Sequence, residues 1–147
     1  TQGVSSAASD VYKRQELIRS EANGTISFGD YTLGAKSKLD NFEHAGDLYK
    51  VKTFCEITKL ERNGMFVYES VPGTAVTNMA ASENGVEFEV EGPEDAEITL
   101  GLMEETEYDV FVAGKSIGQM KTNLGGKLTL SVELDPETPV AVKVSRV

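Results

Sequence analysis

The sequence predicts an all-β protein folded as an antiparallel β-sandwich of about eight strands. Short segments in which apolar and polar residues alternate recur along the chain, and turn-forming pairs such as Asn63-Gly64, Asn84-Gly85 and Gly125-Gly126 separate them. Only residues 15–22 could be helical. Short strands at regular spacing with turns between them are typical of a sandwich or barrel.

The first predicted strands are residues 48–54, 57–62 and 65–70. Asn63-Gly64 separates the last two, and both residues of such a pair tolerate the positive φ angles of a type I′ turn. We therefore expect a β-hairpin here. Counting outward from the turn places Phe66 opposite Glu61 and Tyr68 opposite Lys59.

The next predicted strand, residues 86–91, alternates Val, Phe and Val with three glutamates, which gives one apolar and one solvated face. The remaining predicted strands are residues 96–100, 108–113, 117–122, 128–134 and 140–147. We divide the chain into a tail (1–15), a partly irregular lead-in segment (16–47) and a β-sandwich domain (48–147).

Residues 5–15, SSAASDVYKRQ, resemble the translation of a DNA-sequencing adapter. The resemblance implies that residues 1–15 are a non-biological tail and that the biological sequence begins near Glu16. It also implies a gene recovered from a shotgun library, of metagenomic and bacterial origin, and a chain that is one part of a longer protein.

The composition is acidic, with 24 Asp and Glu against 14 Lys and Arg and a net charge of −10. An acidic surface repels phosphate groups, and no Lys/Arg cluster interrupts it along the sequence. We therefore expect no nucleic-acid partner and no anionic-membrane partner. No apolar run approaches the length of a membrane span, so we expect no membrane insertion.

The sequence offers little catalytic chemistry. Cys55 and His44 are the single cysteine and the single histidine, so a disulfide framework and a thiol metal site are excluded within this chain. We expect no catalytic, cofactor-binding or metal-binding residues. Calcium is kept as an alternative, because the acidic segments 91–97 and 104–109 carry oxygen ligands, although without the spacing of a dedicated calcium loop.

Residues 100–112, LGLMEETEYDVFV, resemble the corner between strands E and F of fibronectin type III and related immunoglobulin-like modules, which carry Thr-x-Tyr-x-Val-x-Val. The resemblance implies a tyrosine corner, in which Leu102 and the Tyr108 ring are structural and the Tyr108 hydroxyl bonds to backbone just upstream. Glu104 stands where the family usually has Pro, and the sequence after Tyr108 exceeds the family's two final strands. The extra length, residues 117–147, implies an augmented or rearranged sandwich.

The segments Tyr108 to Gly114, Met120 to Asn123 and Gly126 to Leu128 also resemble small β modules at the C-terminal end of bacterial carbohydrate-active enzymes. Those modules carry Tyr-x-Val-x-Val-x-Gly, then a Lys-Thr strand and a Gly-Lys-Leu strand. The resemblance implies an accessory part of a larger secreted or surface protein, and hence an extracellular or cell-surface location.

Exposed aromatic rings are the feature through which β-sandwich modules stack on sugars. The chain has no Trp, so Phe66, Tyr68 and Tyr49, with Tyr31, are the candidates for a ligand platform. Aromatic residues beside charged ones on a strand fit a half-exposed platform, but they equally fit a core row flanked by charged side chains.

Three functional hypotheses follow. The first is a non-catalytic accessory or binding module with a glycan or protein partner. The second is a self-associating structural protein that pairs through an exposed edge strand, residues 140–147. The third is a small enzyme with an unrecognised site that depends on His44 or Cys55.

Overall fold

Two antiparallel sheets form the protein in the computed structural model, which describes residues 16–147. The strands are β1 (Ile18–Ser20), β2 (Ile26–Phe28), β3 (Ser37–His44), β4 (Asp47–Phe54), β5 (Ile57–Arg62), β6 (Met65–Val71), β7 (Ala75–Ser82), β8 (Gly85–Glu91), β9 (Ala96–Gly101), β10 (Glu107–Val112), β11 (Lys115–Lys121), β12 (Lys127–Val132) and β13 (Val140–Arg146). Sheet A has the order β1-β2-β7-β8-β13-β10-β11, and sheet B has the order β12-β9-β6-β5-β4-β3. The predicted all-β sandwich is confirmed. The tail 1–15, with its adapter resemblance, lies outside the described residues.

The predicted count of about eight strands is wrong, because residues 16–147 form thirteen. The additional strands are β1, β2, β3 and β7, and the first three lie within residues 16–47. β1 and β2 are only three residues long, too short for an alternating pattern to be recognised. Residues 18–20, within the one segment whose sequence is compatible with a helix, form β1 instead, and Ile18 is buried opposite Phe28 of β2.

The core lies between the inner faces of the two sheets. On sheet B one cross-strand row of buried residues runs from β4 to β12: Val51, Leu60, Tyr68, Leu100 and Leu128. Sheet A opposes it with the inward residues of β8, β10 and β13, among them Phe88, Val110 and Val142. Because successive side chains of a strand point to opposite faces, the residues adjacent to this buried row lie on the outer face of sheet B.

The predicted Asn63-Gly64 hairpin joins β5 to β6, with φ angles of 51° and 80° at its two turn residues. Phe66 lies opposite Glu61 as expected. Tyr68 does not lie opposite Lys59. A β-bulge at Val67 shifts the register, so that Tyr68 pairs with Leu60. The one extra residue turns the Tyr68 side chain from the solvated face to the core.

The chain crosses from sheet B to sheet A between β9 and β10. Tyr108 is 1% exposed, and its hydroxyl accepts a hydrogen bond from the backbone N–H of Met103 at 3.1 Å. Leu102 is half-buried and packs against the core. This is the hydrogen bond that defines a tyrosine corner, and it fixes the crossover between the sheets.

β13 occupies the interior of sheet A. It pairs with β8 on one side, where Val142 lies opposite Phe88, and with β10 on the other, where Val144 lies opposite Val110. The expectation that residues 140–147 offer an unpaired edge is therefore wrong, since both of their hydrogen-bonding sides are used. Among the described residues, no helix combines the length and the apolar content needed to cross a membrane.

Candidate ligand-binding face

The residues of the predicted aromatic platform do not share an exposed face. Tyr49 and Tyr68 are buried, and Phe66 is half-buried. The Tyr68 ring packs edge-on against Phe28, with ring centroids 5.2 Å apart, and its hydroxyl shares a hydrogen bond of 2.8 Å with that of Thr74. Tyr31, in the connection between β2 and β3, donates a hydrogen bond to Glu91 at the end of β8 in sheet A. Only Phe66 presents its side chain on the outer face of sheet B.

Three lysines lie side by side on that outer face. Lys38 of β3 is directly opposite Lys52 of β4, and Lys52 is directly opposite Lys59 of β5. We call Lys38, Lys52 and Lys59 the lysine row. With Lys50 and Glu61 they line a shallow cleft of about 130 Å³. The structure thus concentrates ammonium groups on one face of a chain whose net charge is −10.

The lysine row is poorly compensated by carboxylates of the protein. Among residues 16–147, Lys59 is the one member with a carboxylate oxygen within 4.0 Å, that of Glu61 at 3.5 Å. Like charges placed directly opposite each other destabilise a sheet. Edge-strand lysines commonly prevent sheet-to-sheet aggregation, which accounts for Lys38 on β3. It does not account for Lys52 and Lys59, which lie on interior strands.

Phe66 extends this cationic face. The Nζ atom of Lys127 lies 4.6 Å from the Phe66 ring centroid, and that of Lys59 lies 6.0 Å from it, both within reach of a cation–π attraction. The backbone of Phe66 runs close to Gly101, where an added Cβ would come within 2.2 Å of the Phe66 carbonyl oxygen. The ring therefore lies close to two ammonium groups of the protein itself.

The lysine row continues across the rest of sheet B as polar residues. Lys59 is opposite Glu69 of β6, Glu69 is opposite Thr99 of β9, and Thr99 is opposite Thr129 of β12. The two threonine hydroxyls lie 3.1 Å apart. We call the whole set the outer row: Lys38, Lys52, Lys59, Glu69, Thr99 and Thr129. It crosses six strands, a length of about 24 Å at about 4.8 Å per strand.

Sequence reasoning missed the lysine row because its members are distant along the chain. From the sequence we expect no Lys/Arg cluster to interrupt the acidic surface. No such cluster exists among consecutive residues, but the folded protein forms one from residues of three neighbouring strands. One signal was present. Lys50, Lys52 and Lys59 occupy the polar positions of two alternating strands, and a two-residue turn at Cys55-Glu56 pairs Lys52 with Lys59. The addition of Lys38 depends on β3, which has no strong pattern of its own.

The structure does not bring His44 and Cys55 together, because they lie at opposite ends of β4: His44 ends β3, just before β4, and Cys55 lies in the turn after β4. His44 Nδ1 is 2.6 Å from the Ser20 hydroxyl oxygen, in an exposed position. Within residues 16–147, no group of three or more His, Cys, Asp or Glu side chains could hold a metal ion. In the acidic segment 91–97, Asp95 accepts a hydrogen bond from the Leu134 N–H. This bond joins the connection between β8 and β9 to the connection between β12 and β13.

Comparisons with known proteins give no assignment. The chain has no significant match among models of protein families, curated proteins or solved structures.

Proposed function

We propose that this chain is a non-catalytic accessory module of a larger bacterial secreted or surface protein, and that it binds an anionic, carbohydrate-related ligand through the outer face of sheet B. The module is of the immunoglobulin-like or fibronectin type III-like kind, as the tyrosine-corner hydrogen bond of Tyr108 supports. The observation that carries the binding role is the lysine row, Lys38, Lys52 and Lys59, assembled on three adjacent strands.

The lysine row suits an anion for a simple electrostatic reason. A carboxylate or sulfate placed between two neighbouring ammonium groups replaces their repulsion by two charge-assisted hydrogen bonds. Lysine acts as a compact point charge on a flexible stem, so it adapts to anions of different geometry. Because the face is open to solvent, these attractions are screened by salt, and affinity falls as ionic strength rises.

The test compares two double variants that remove equal charge. Lys52→Gln/Lys59→Gln disrupts the lysine row, whereas Lys115→Gln/Lys121→Gln removes two exposed lysines from β11, at the edge of sheet A. Binding to polygalacturonate is measured by affinity electrophoresis in native gels, with dextran as the neutral polymer. We expect the first variant to lose about tenfold or more in affinity, which corresponds to roughly 1.4 kcal/mol, and the second to retain wild-type affinity.

Two outcomes contradict the proposal. Equal losses in both variants mean that only net charge matters and that the lysine row is not a site. A wild-type protein whose migration is unchanged by polygalacturonate at low salt has no such binding activity.

A further inference from the structure

We infer that the ligand is a linear acidic polysaccharide and that its chain lies across the strands of sheet B, along the outer row. This inference rests on the proposed function and adds the class and direction of the ligand. The row presents two kinds of chemistry in order: three ammonium groups at the β3 side, then one carboxylate and two hydroxyls towards β12.

The direction follows from how the charges are distributed over the face. Across the strands, Lys38, Lys52 and Lys59 follow one another at about 4.8 Å. Along β4, by contrast, the outward residues Lys50 and Lys52 are flanked by Leu48 and Phe54, so a ligand lying along the strand meets apolar side chains after two cations. A chain that crosses the strands contacts the larger number of cations.

The chemical class of the ligand follows from the half of the outer row nearest β12, which contains Glu69, Thr99 and Thr129. Glu69 lies between Lys59 and Thr99 and faces solvent in part. A carboxylate at this position repels the backbone phosphates of a single-stranded nucleic acid, whereas a uronic-acid unit can direct its own carboxylate towards the lysines and its hydroxyls towards Glu69. The same carboxylate accepts hydrogen bonds from sugar hydroxyls, and the hydroxyls of Thr99 and Thr129 both donate and accept them. A polysaccharide carries acidic groups and hydroxyls on one chain, as this row requires.

The width of the cationic strip also favours a single narrow chain. Glu61 lies in the adjacent outward position of β5 beside Lys59, and Glu97 lies beside Thr99 on β9. An extended polysaccharide that follows the outer row passes each of these carboxylates at a single point, with Glu61 in the same cleft as the lysine row. A flat anionic membrane would press against these flanking carboxylates as well as the row, and the net charge of −10 adds to that repulsion.

The decisive experiment removes one negative charge at two places on the same face. Glu69→Gln lies in the outer row, and Glu97→Gln lies outside it, opposite Ser131. Affinities for a purified galacturonate octamer and for oligo(U) RNA are measured by isothermal titration calorimetry. We expect Glu69→Gln to weaken octamer binding about fivefold, because a weaker acceptor replaces the carboxylate, and Glu97→Gln to leave it within about twofold.

An increase in octamer affinity in both variants would mean that charge alone is recognised. That result overturns the polysaccharide assignment while leaving an anion-binding lysine row intact. Oligo(U) binding as tight as that of the octamer overturns it too. If neither polymer binds the wild type, the proposed function itself fails. Unchanged thermal unfolding midpoints of both variants confirm that the fold is retained.

A series of galacturonate oligomers tests the direction. Affinity should rise with oligomer length until the oligomer spans the outer row, about 24 Å. Longer oligomers should then gain only the small increase that comes from having several equivalent positions to bind. Affinity that is already maximal at the dimer would restrict binding to two lysines and overturn the inferred path across the sheet.

Discussion

At the scale of single residues, the core contains a chain of hydroxyl groups. The Tyr68 hydroxyl contacts that of Thr74 at 2.8 Å, Thr74 contacts Ser70 at 2.7 Å, and Thr58 contacts Thr53 at 2.8 Å. Thr58 donates to the Thr74 carbonyl oxygen and so joins the two parts. Because all five residues are buried, each of these hydrogen bonds replaces one that water would otherwise make.

Tyr68 makes stability sensitive to alkaline pH. Burial in the core raises the pKa of Tyr68 far above its ordinary value, and desolvation together with the hydrogen bond to Glu91 raises the pKa of Tyr31 to about 12. The folded protein therefore holds these protons more tightly than the unfolded chain. Stability is unaffected below pH of about 10 and falls as the pH rises further.

In urea denaturation, we expect the contribution of Tyr68 and Tyr31 to the free energy of unfolding to stay constant up to about pH 10 and to decline above it. The variant Tyr68→Phe should be less stable at pH 7 by about 1 kcal/mol, because Thr74 loses a hydrogen-bond partner, but should decline less steeply above pH 10. A decline as steep as that of the wild type would show that Tyr68 does not ionise with unfolding.

The two buried tyrosines show what the sequence can predict at this scale. The role of Tyr108 follows from a local motif, and its hydroxyl bonds to Met103, five residues upstream. The burial of Tyr68 depends on the bulge at Val67, a difference of one residue in the register of β5 and β6. Alternation alone does not reveal a bulge, so the sequence placed Tyr68 on the wrong face.

At the scale of elements, close packing of β8 against β13 depends on Gly85. Its φ angle is 141°, and an added Cβ would lie 1.9 Å from the carbonyl oxygen of Val144. Gly46, in the β3–β4 turn, has a φ angle of 84° with no atom within 4 Å of an added Cβ. A side chain at Gly46 would meet only an unfavourable φ angle, whereas a side chain at Gly85 would also clash with the Val144 backbone. Comparing the two positions therefore separates the cost of backbone strain from the cost of the clash.

We expect Gly85→Ala to lower the free energy of unfolding by about 3 kcal/mol or more, because the β8–β13 pairing must shift to make room. Gly46→Ala should cost about 1–2 kcal/mol, since it carries only the strain of a left-handed conformation. Chemical denaturation of both variants measures the difference. Similar losses for the two would indicate that Val144 moves away at little cost.

The elements divide into those that the sequence predicts and those that it does not. β5, β6, β8 and β12 alternate clearly and lie next to turn residues, so their positions are predicted well. β3 and β7 become strands because a partner is available: each is interrupted by a register shift, near Asn41 and Asn78, where φ is positive. Such strands depend on tertiary pairing that local pattern does not contain.

At the scale of the whole molecule, sheet A is held together by β13. β8 and β10 do not pair with each other, so β13 is the strand that connects the two halves of the sheet. This order is not predictable from periodicity, which identifies strands but not their neighbours. The lysine row was missed for the same reason, since it exists only once β3, β4 and β5 are placed side by side.

Two substitutions on β13 test its central position. Val142→Asp places a carboxylate at a site that is 1% exposed, and burial of an unpaired charge should cost most of a typical stability of about 5–15 kcal/mol. Ala141→Asp introduces the same group on the exposed outer face. We expect circular dichroism to show loss of cooperative unfolding in the first and its retention in the second. A cooperative Val142→Asp protein would mean that sheet A tolerates disruption at its centre.

The position of β13 also has a consequence for biosynthesis. Of the described strands it is the last to leave the ribosome, yet it fills a gap between strands made earlier. Until it arrives, β8 and β10 each present an unpaired side and alternating apolar residues, the kind of strand that pairs with other nascent chains. Rapid translation through residues 113–139, or a chaperone that shields β8 and β10 meanwhile, would therefore raise the yield of correctly folded protein.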